Sequence, residues 1–212
     1  MAGFVARIGL LLVLGCWSAM AFASGQKDVY SFRVLRDGSD IGTHRVTVDR
    51  LGADAFVTVE IDLEVGFGPF VLYEYTHRNQ ELWRDGRLIS LTSDTDDDGT
   101  AHQVAARANG TSLEVVSTNG TVAAPTSMMS TSYWDPRIVT QSQLLDSQSG
   151  ALIDVTWSDL GEEEITASGR PVKARKFQAS GDLTVTLWYD ADGSWSKFSF
   201  PYGGSTIEYV LE

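Results

Sequence analysis

The sequence predicts an all-β fold: a curled antiparallel meander of about a dozen strands, forming an open or half β-barrel with one short helix. Three observations predict it. Turn-forming dipeptides recur at short intervals, apolar and polar residues alternate between them, and a single stretch after residue 122 breaks that rhythm.

The turns include Asp37-Gly38, Asp85-Gly86, Asp98-Gly99, Asn109-Gly110 and Asn119-Gly120, followed by Ser168-Gly169, Gly181-Asp182, Asp192-Gly193 and Gly203-Gly204. Asp-Gly and Asn-Gly favour the positive φ angles of type I′ hairpins, whose twist matches that of the strands they join. From Gly86 to Gly120 the turn glycines stand ten to thirteen residues apart, the spacing of a meander.

Between turns the period is two. Tyr30, Phe32 and Val34 alternate with Ser31 and Arg33, and Val57, Val59, Ile61, Leu63 and Val65 alternate with Thr58, Glu60, Asp62 and Glu64. Later, Leu183, Val185, Leu187 and Tyr189 form one such stripe, and Ile207, Tyr209 and Leu211 another. One wet face and one dry face is the mark of an antiparallel sheet. A twisted sheet of that size curls into a barrel, a half-barrel or a sandwich. Gly66-Phe67-Gly68-Pro69-Phe70 reads as a corner between two strands, because it lacks the lysine and following helix of a phosphate loop.

The break spans 122–150 and holds Pro125, Met128-Met129 and Tyr133-Trp134-Asp135-Pro136. Asp135 suits an N-cap and Pro136 a first helical position, so a short helix is predicted from Pro136 to about Asp146. It either plugs the open end of the barrel or covers a ligand cavity, with Tyr133 and Trp134 at the edge.

Residues 1–23 read as a signal peptide. Arg7 precedes the apolar run from Ile8 to Phe22, and Ala21-Phe22-Ala23 offers small residues at a peptidase site before Ser24. Ala19-Met20-Ala21 offers a second such site. A lipoprotein reading, with Cys16 as the acylated residue, is disfavoured by the apolar stretch from Trp17 to Ala23. Residues 24–212 then form a single all-β domain, periplasmic or secreted, with no transmembrane segment. Cys16, the one cysteine, leaves with the leader, so the domain stands without a disulfide.

Tyr30-Ser31-Phe32-Arg33-Val34 followed by a hairpin and Ile41-Gly42-Thr43-His44, the Tyr133-Trp134 segment, and the final Leu187-Trp188-Tyr189-Asp190…Gly193 hairpin resemble an uncharacterised family of exported bacterial all-β proteins, a domain of unknown function. More distantly, the layout is similar to lipocalin-like and lipoprotein-carrier open β-barrels, which hold apolar ligands. The first resemblance assigns no catalytic residue; the second implies an apolar cavity.

A formal net charge of −12 excludes a nucleic-acid binder, which needs a basic face to displace counterions. Asp94, Asp96 and Asp98, before Gly99, match the first half of a calcium loop and are the candidate metal ligands. The closing glutamate is absent, since Ala105 stands at the twelfth position. His44, His77 and His102 are spread over the chain without metal-ligand spacing, no nucleophile elbow occurs, and no catalytic residue or cofactor is indicated. Tyr133, Trp134, Tyr73 and Tyr75 are the candidate ligand-binding residues. The expected function is non-enzymatic: binding or carrying an apolar small molecule or lipid in the cell envelope. The alternatives are a hydrolase using carboxylates in a cleft, or an acidic protein-interaction module.

Overall fold

A computed structural model of the protein describes residues 25–212. The expected signal peptide and Cys16 lie outside the described residues. Strands follow one another in chain order: β1 (Gln26–Arg36), β2 (Ser39–Leu51), β3 (Asp54–Phe67), β4 (Phe70–Arg84), β5 (Arg87–Asp97) and β6 (Thr100–Asn109). Next come β7 (Ser112–Ser117), β8 (Gly120–Pro125) and the short β9 (Met129–Ser130) and β10 (Gln143–Leu145). The chain finishes with β11 (Leu152–Ala167), β12 (Arg170–Gly181), β13 (Thr186–Asp190), β14 (Trp195–Tyr202) and β15 (Ser205–Leu211).

All fifteen belong to one sheet, which runs from β8 back to β1, crosses to β15, and runs back again to β9. The five predicted dipeptide turns with an Asp or Ser first behave as expected where the hairpins are tight. Asp37, Asp85, Asp98 and Ser168 all adopt positive φ and each precedes a positive-φ glycine. Pairing is antiparallel throughout except between β9 and β10. The two edges, β8 and β9, are not hydrogen-bonded to each other, so the curled sheet stays open. They are nonetheless separated by only residues 126–128 of the chain. No helix among the described residues is long and apolar enough to cross a membrane.

The helix predicted over 136–146 is instead a 3₁₀ turn, Pro136–Thr140, followed by β10. The cap is as expected: the Asp135 side chain accepts the Arg137 N–H, with Pro136 behind it. Ile138, Val139 and Thr140 are β-branched and lose rotamer freedom in a helix. Gln143 to Leu145 then find sheet partners in Leu152 to Asp154. The short strands β9 and β10 raise the strand total further above the dozen expected.

The apolar stripes read from the sequence face inward. Phe32, Val34, Val57, Val59, Leu187 and Tyr209 are buried in one core with Trp83 and Trp195. Segment 126–150 crosses the concave side and fills much of it, burying Met128, Met129, Trp134, Ile138, Leu144 and Leu145. Polar ties fasten it on several sides. Leu88 N–H donates to Thr126 O, Tyr189 Oη to Tyr133 O, Ser93 Oγ to Ser147 O, and Asn119 Nδ2 to Ser149 O. On the opposite, convex face, β11 is irregular between Asp159 and Glu162, and Ile165, Ala174 and Trp188 form a small second cluster.

Candidate functional site

The β3–β4 hairpin sets the chemistry of the concave face. Register pairs Val65 with Tyr73, Leu63 with Tyr75, Ile61 with His77, Val59 with Asn79 and Val57 with Glu81. Directly opposed residues share a face. An apolar stripe on β3 therefore lies beside a polar and aromatic stripe on β4. The space left between this hairpin, the crossing segment, residues 182–185 and β14–β15 is a cavity of about 540 Å³. Ile61, Leu63, Leu183, Phe198, Phe200 and Ile207 supply its apolar wall. The exposed Tyr202, Asp182 and Thr184 also line it and mark its mouth.

The same register collects the three histidines in one transverse row, His44–Ile61–His77–Thr95–His102. Spread over β2, β4 and β6, they show no such relation in the sequence. The His44 ring is enclosed by Phe32, Trp195 and Tyr209, with centroids at 6.2, 5.5 and 5.3 Å. Neither of its ring nitrogens has a hydrogen-bond partner. Burial pushes its pKa down to about 3, with the charge of His77 a smaller cause. In His77, Nδ1 lies 2.6 Å from Thr95 Oγ1 and Nε2 3.5 Å from Ser147 Oγ. Burial lowers its pKa to about 4, partly opposed by Asp146. Both rings are thus neutral at pH 7.

One row deeper, Asn79 Nδ2 donates to Glu81 Oε1 at 2.8 Å, leaving Asn79 Oδ1 without a partner. Glu81 is the polar hub of the interior. It also accepts from Trp83 Nε1 at 2.7 Å, Ser130 Oγ at 2.7 Å and Ser132 Oγ at 3.2 Å. Towards the mouth, Tyr73 Oη donates to Asp97 at 2.8 Å and Tyr75 Oη to Gln148 Oε1 at 3.0 Å. Gln148 Nε2 closes the chain with a 3.2 Å bond to Asp97. Burial raises the pKa of both tyrosines, which stay protonated donors.

Three of the four candidate ligand-binding residues, Tyr73, Tyr75 and Tyr133, come together on this cavity. Tyr133 packs 4.9 Å from Phe198 and 5.7 Å from Trp195. Its φ of 59° is left-handed, a costly conformation for a tyrosine. Trp134 does not join them. The backbone turn at Tyr133 sends the next side chain to the other end of the barrel, 6.0 Å from Trp83 and beneath the Arg50 guanidinium at 5.4 Å. There it borders a second hollow of about 520 Å³ with Asp28, Asp135 and Arg137.

Asp94, Asp96 and Asp98 do not converge on a metal position. Asp94 and Asp96 lie exposed along extended β5, and Asp98 occupies the turn. Asp94 accepts from Gln103 Nε2 and Asp96 from the Gly99 N–H, so these carboxyls hold the hairpin. Among the described residues no group of three His, Cys, Asp or Glu side chains is placed to hold a metal ion.

Residues 32–212 match a protein family described as a domain of unknown function, DUF6134. The chain belongs to this family. The DUF6134 fold is similar to the crystal structure of a β-barrel-like protein of the domain of unknown function DUF1849 from Brucella abortus. The two superpose with a TM-score of 0.58 at 10% identity, over 88% of this chain and 94% of that one. At that identity the likeness shows a shared fold. No curated protein matches the chain. The all-β, unknown-function family expected from the sequence is thus the one found.

Proposed function

We propose that this DUF6134 protein binds and carries an apolar small molecule or lipid in the cell envelope, after export directed by the 1–23 leader. The observation that carries the reading is the cavity. Its volume of about 540 Å³ falls within the range of ligand sites, and its wall is mainly apolar. The crossing segment fills one end of the concave face and leaves this end free. Beside the mouth, Phe70, Val71, Leu72 and Tyr202 are exposed, an apolar rim of the kind that marks contact sites.

Native mass spectrometry of protein purified from the cell envelope tests the reading. A co-purified lipid or other apolar small molecule supports it. A clean apo mass, with no uptake of the fluorescent probe N-phenyl-1-naphthylamine, overturns it. Val65, half-buried at the outer end of the apolar stripe, supplies a blocking variant. Val65→Trp is expected to weaken probe uptake about tenfold or more while leaving the urea midpoint close to wild type.

Trp134→Ala should behave oppositely. It removes a buried indole that touches Trp83 rather than the cavity. The expected cost is about 3 kcal/mol, the low end for a buried tryptophan, because the second hollow already borders it. Probe uptake by the folded fraction should be unchanged. Lost uptake at full stability would return Trp134 to the ligand site.

A further inference from the structure

We propose that the ligand is an amphiphile with an uncharged hydrogen-bonding head, an alcohol or primary amide, which enters head first and seats that head beside His44, His77 and Asn79. This rests on the carrier reading and names its ligand class. Buried polar atoms are paired in the great majority of folded proteins. Among the described residues six side-chain atoms are not, and three of the six belong to the cavity lining: both ring nitrogens of His44 and Asn79 Oδ1. They belong to two residues of the cavity lining, His44 and Asn79, which are 3% and 1% exposed. A third member of the group, His77, has only a 3.5 Å contact at Nε2.

The chemistry of these atoms selects the head. A neutral imidazole offers one donor and one acceptor, and an amide oxygen accepts. A hydroxyl or primary amide, which both donates and accepts, complements them. An ionised head does not. Arg36 is the one Lys or Arg side chain lining the cavity, and its Nε donates to Ser205 Oγ in the hairpin at the barrel's rim. The lining carboxyls are Asp97, Asp146 and Asp182. A carboxylate head would lose its water, find no cation at the inner end, and face like charge on the way. An ammonium head would meet carboxyl oxygens that are mostly engaged already, Asp97 by Tyr73 and Gln148, Asp146 by Gln148 N–H and Ser149 Oγ, and one oxygen of Asp182 by Asp154 N–H, and it would find no acceptor of opposite charge among His44, His77 and Asn79. The tail of the amphiphile then lies along Ile61, Leu63 and Phe200 towards the exposed rim.

Displacement of N-phenyl-1-naphthylamine by dodecane, dodecanol, dodecanoate and dodecylamine at pH 7.5 is the test. Dodecanol is expected to compete most strongly, by a factor on the order of ten over the other three, the worth of one or two added hydrogen bonds. His44→Phe and Asn79→Leu, each checked for a wild-type urea midpoint, should bring the ratio of dodecanol to dodecane affinity close to one, whatever the variant's own affinity for the probe. Should neither variant fold, the wild-type ranking alone decides. Tighter competition by dodecanoate or dodecylamine overturns the head-group assignment and leaves the carrier reading standing. A dodecanol preference that survives in both folded variants overturns the assignment too. Failure of the probe and all four compounds to bind removes the carrier reading and this inference with it.

Discussion

Replacing Glu81 by alanine is expected to lower the unfolding free energy by about 3–5 kcal/mol, as when one partner of a buried polar network is removed. Two of its hydrogen-bond donors, Asn79 and Trp83, lie on its own strand β4, and two, Ser130 and Ser132, lie on the crossing segment. The two serines already lie 2.8 Å apart and can compensate each other in part. The indole N–H and the amide of Asn79 have no such alternative within the core. Glu81→Gln keeps the shape but turns one acceptor into a donor, and should cost about 2 kcal/mol. Urea unfolding followed by tryptophan emission measures both. A loss under about 1 kcal/mol for the alanine variant would show that the Glu81 hydrogen bonds add little to what holds segment 126–150 in place.

Acidification from pH 7 to pH 4.5 should remove about 5 kcal/mol of stability through two histidines. In the folded protein burial holds His44 near 3 and His77 near 4, whereas in the unfolded chain both titrate near about 6.5. Between those values the unfolded state binds more protons than the folded one. The stabilisation is therefore complete above about pH 6.5 and is lost as the pH falls towards the folded values. Each imidazole contributes a slope of about 1.4 kcal/mol per pH unit. Asp37, Asp54 and Asp159, whose pKa values are lowered by hydrogen bonds to backbone or arginine, act only below this window. Urea midpoints measured at half-unit intervals give the slope, and His44→Phe or His77→Leu should each roughly halve it. A flat profile down to pH 4.5 would mean that both rings take up protons inside the fold, and would sink the account of them as buried neutral groups.

The stripe Val57 to Val65 was legible because its buried face is apolar and its exposed face charged, which is the contrast that period-two reading detects. Strand β4 lacks that contrast. Its inward residues are Tyr73, Tyr75, His77, Asn79, Glu81 and Trp83, and its outward ones include Glu74, Arg78 and Gln80. The signal was present in another form, a strict alternation of aromatic or hydrogen-bonding side chains beside an apolar strand. Tyr73 and Tyr75 were named as candidate ligand-binding residues and His77 was weighed only as a metal ligand, while Asn79 and Glu81 were passed over. The histidine row depends on register, and register depends on every turn length between β2 and β6. Two departures, between Val65 and Gly66 in the β3–β4 ladder and between Leu82 and Trp83 in the β4–β5 ladder, cannot be counted from sequence. Tyr133 and Trp134 were paired because they are adjacent. A left-handed backbone at a tyrosine, which sends them to opposite ends, has no residue signature.

The pairing of β1 with β15 has a consequence for how the chain folds. Every other ladder but the short β9–β10 pair joins strands that are neighbours in sequence and can zip hairpin by hairpin. This one joins Phe32–Arg36 to Ile207–Leu211, across most of the chain. Two local meanders, β1 to β8 and β10 to β15, are therefore expected to form early, with a single seam completing the core late. Until it closes, the edge of β1 presents its unpaired backbone together with Phe32 and Val34, a template for wrong pairing. Closing so long a loop places the protein among slow, non-local folders, in the range of milliseconds to seconds. The cavity acquires both of its walls only at that step. A ligand of the proposed kind would find no site on the early meanders; it could only hold the finished seam shut.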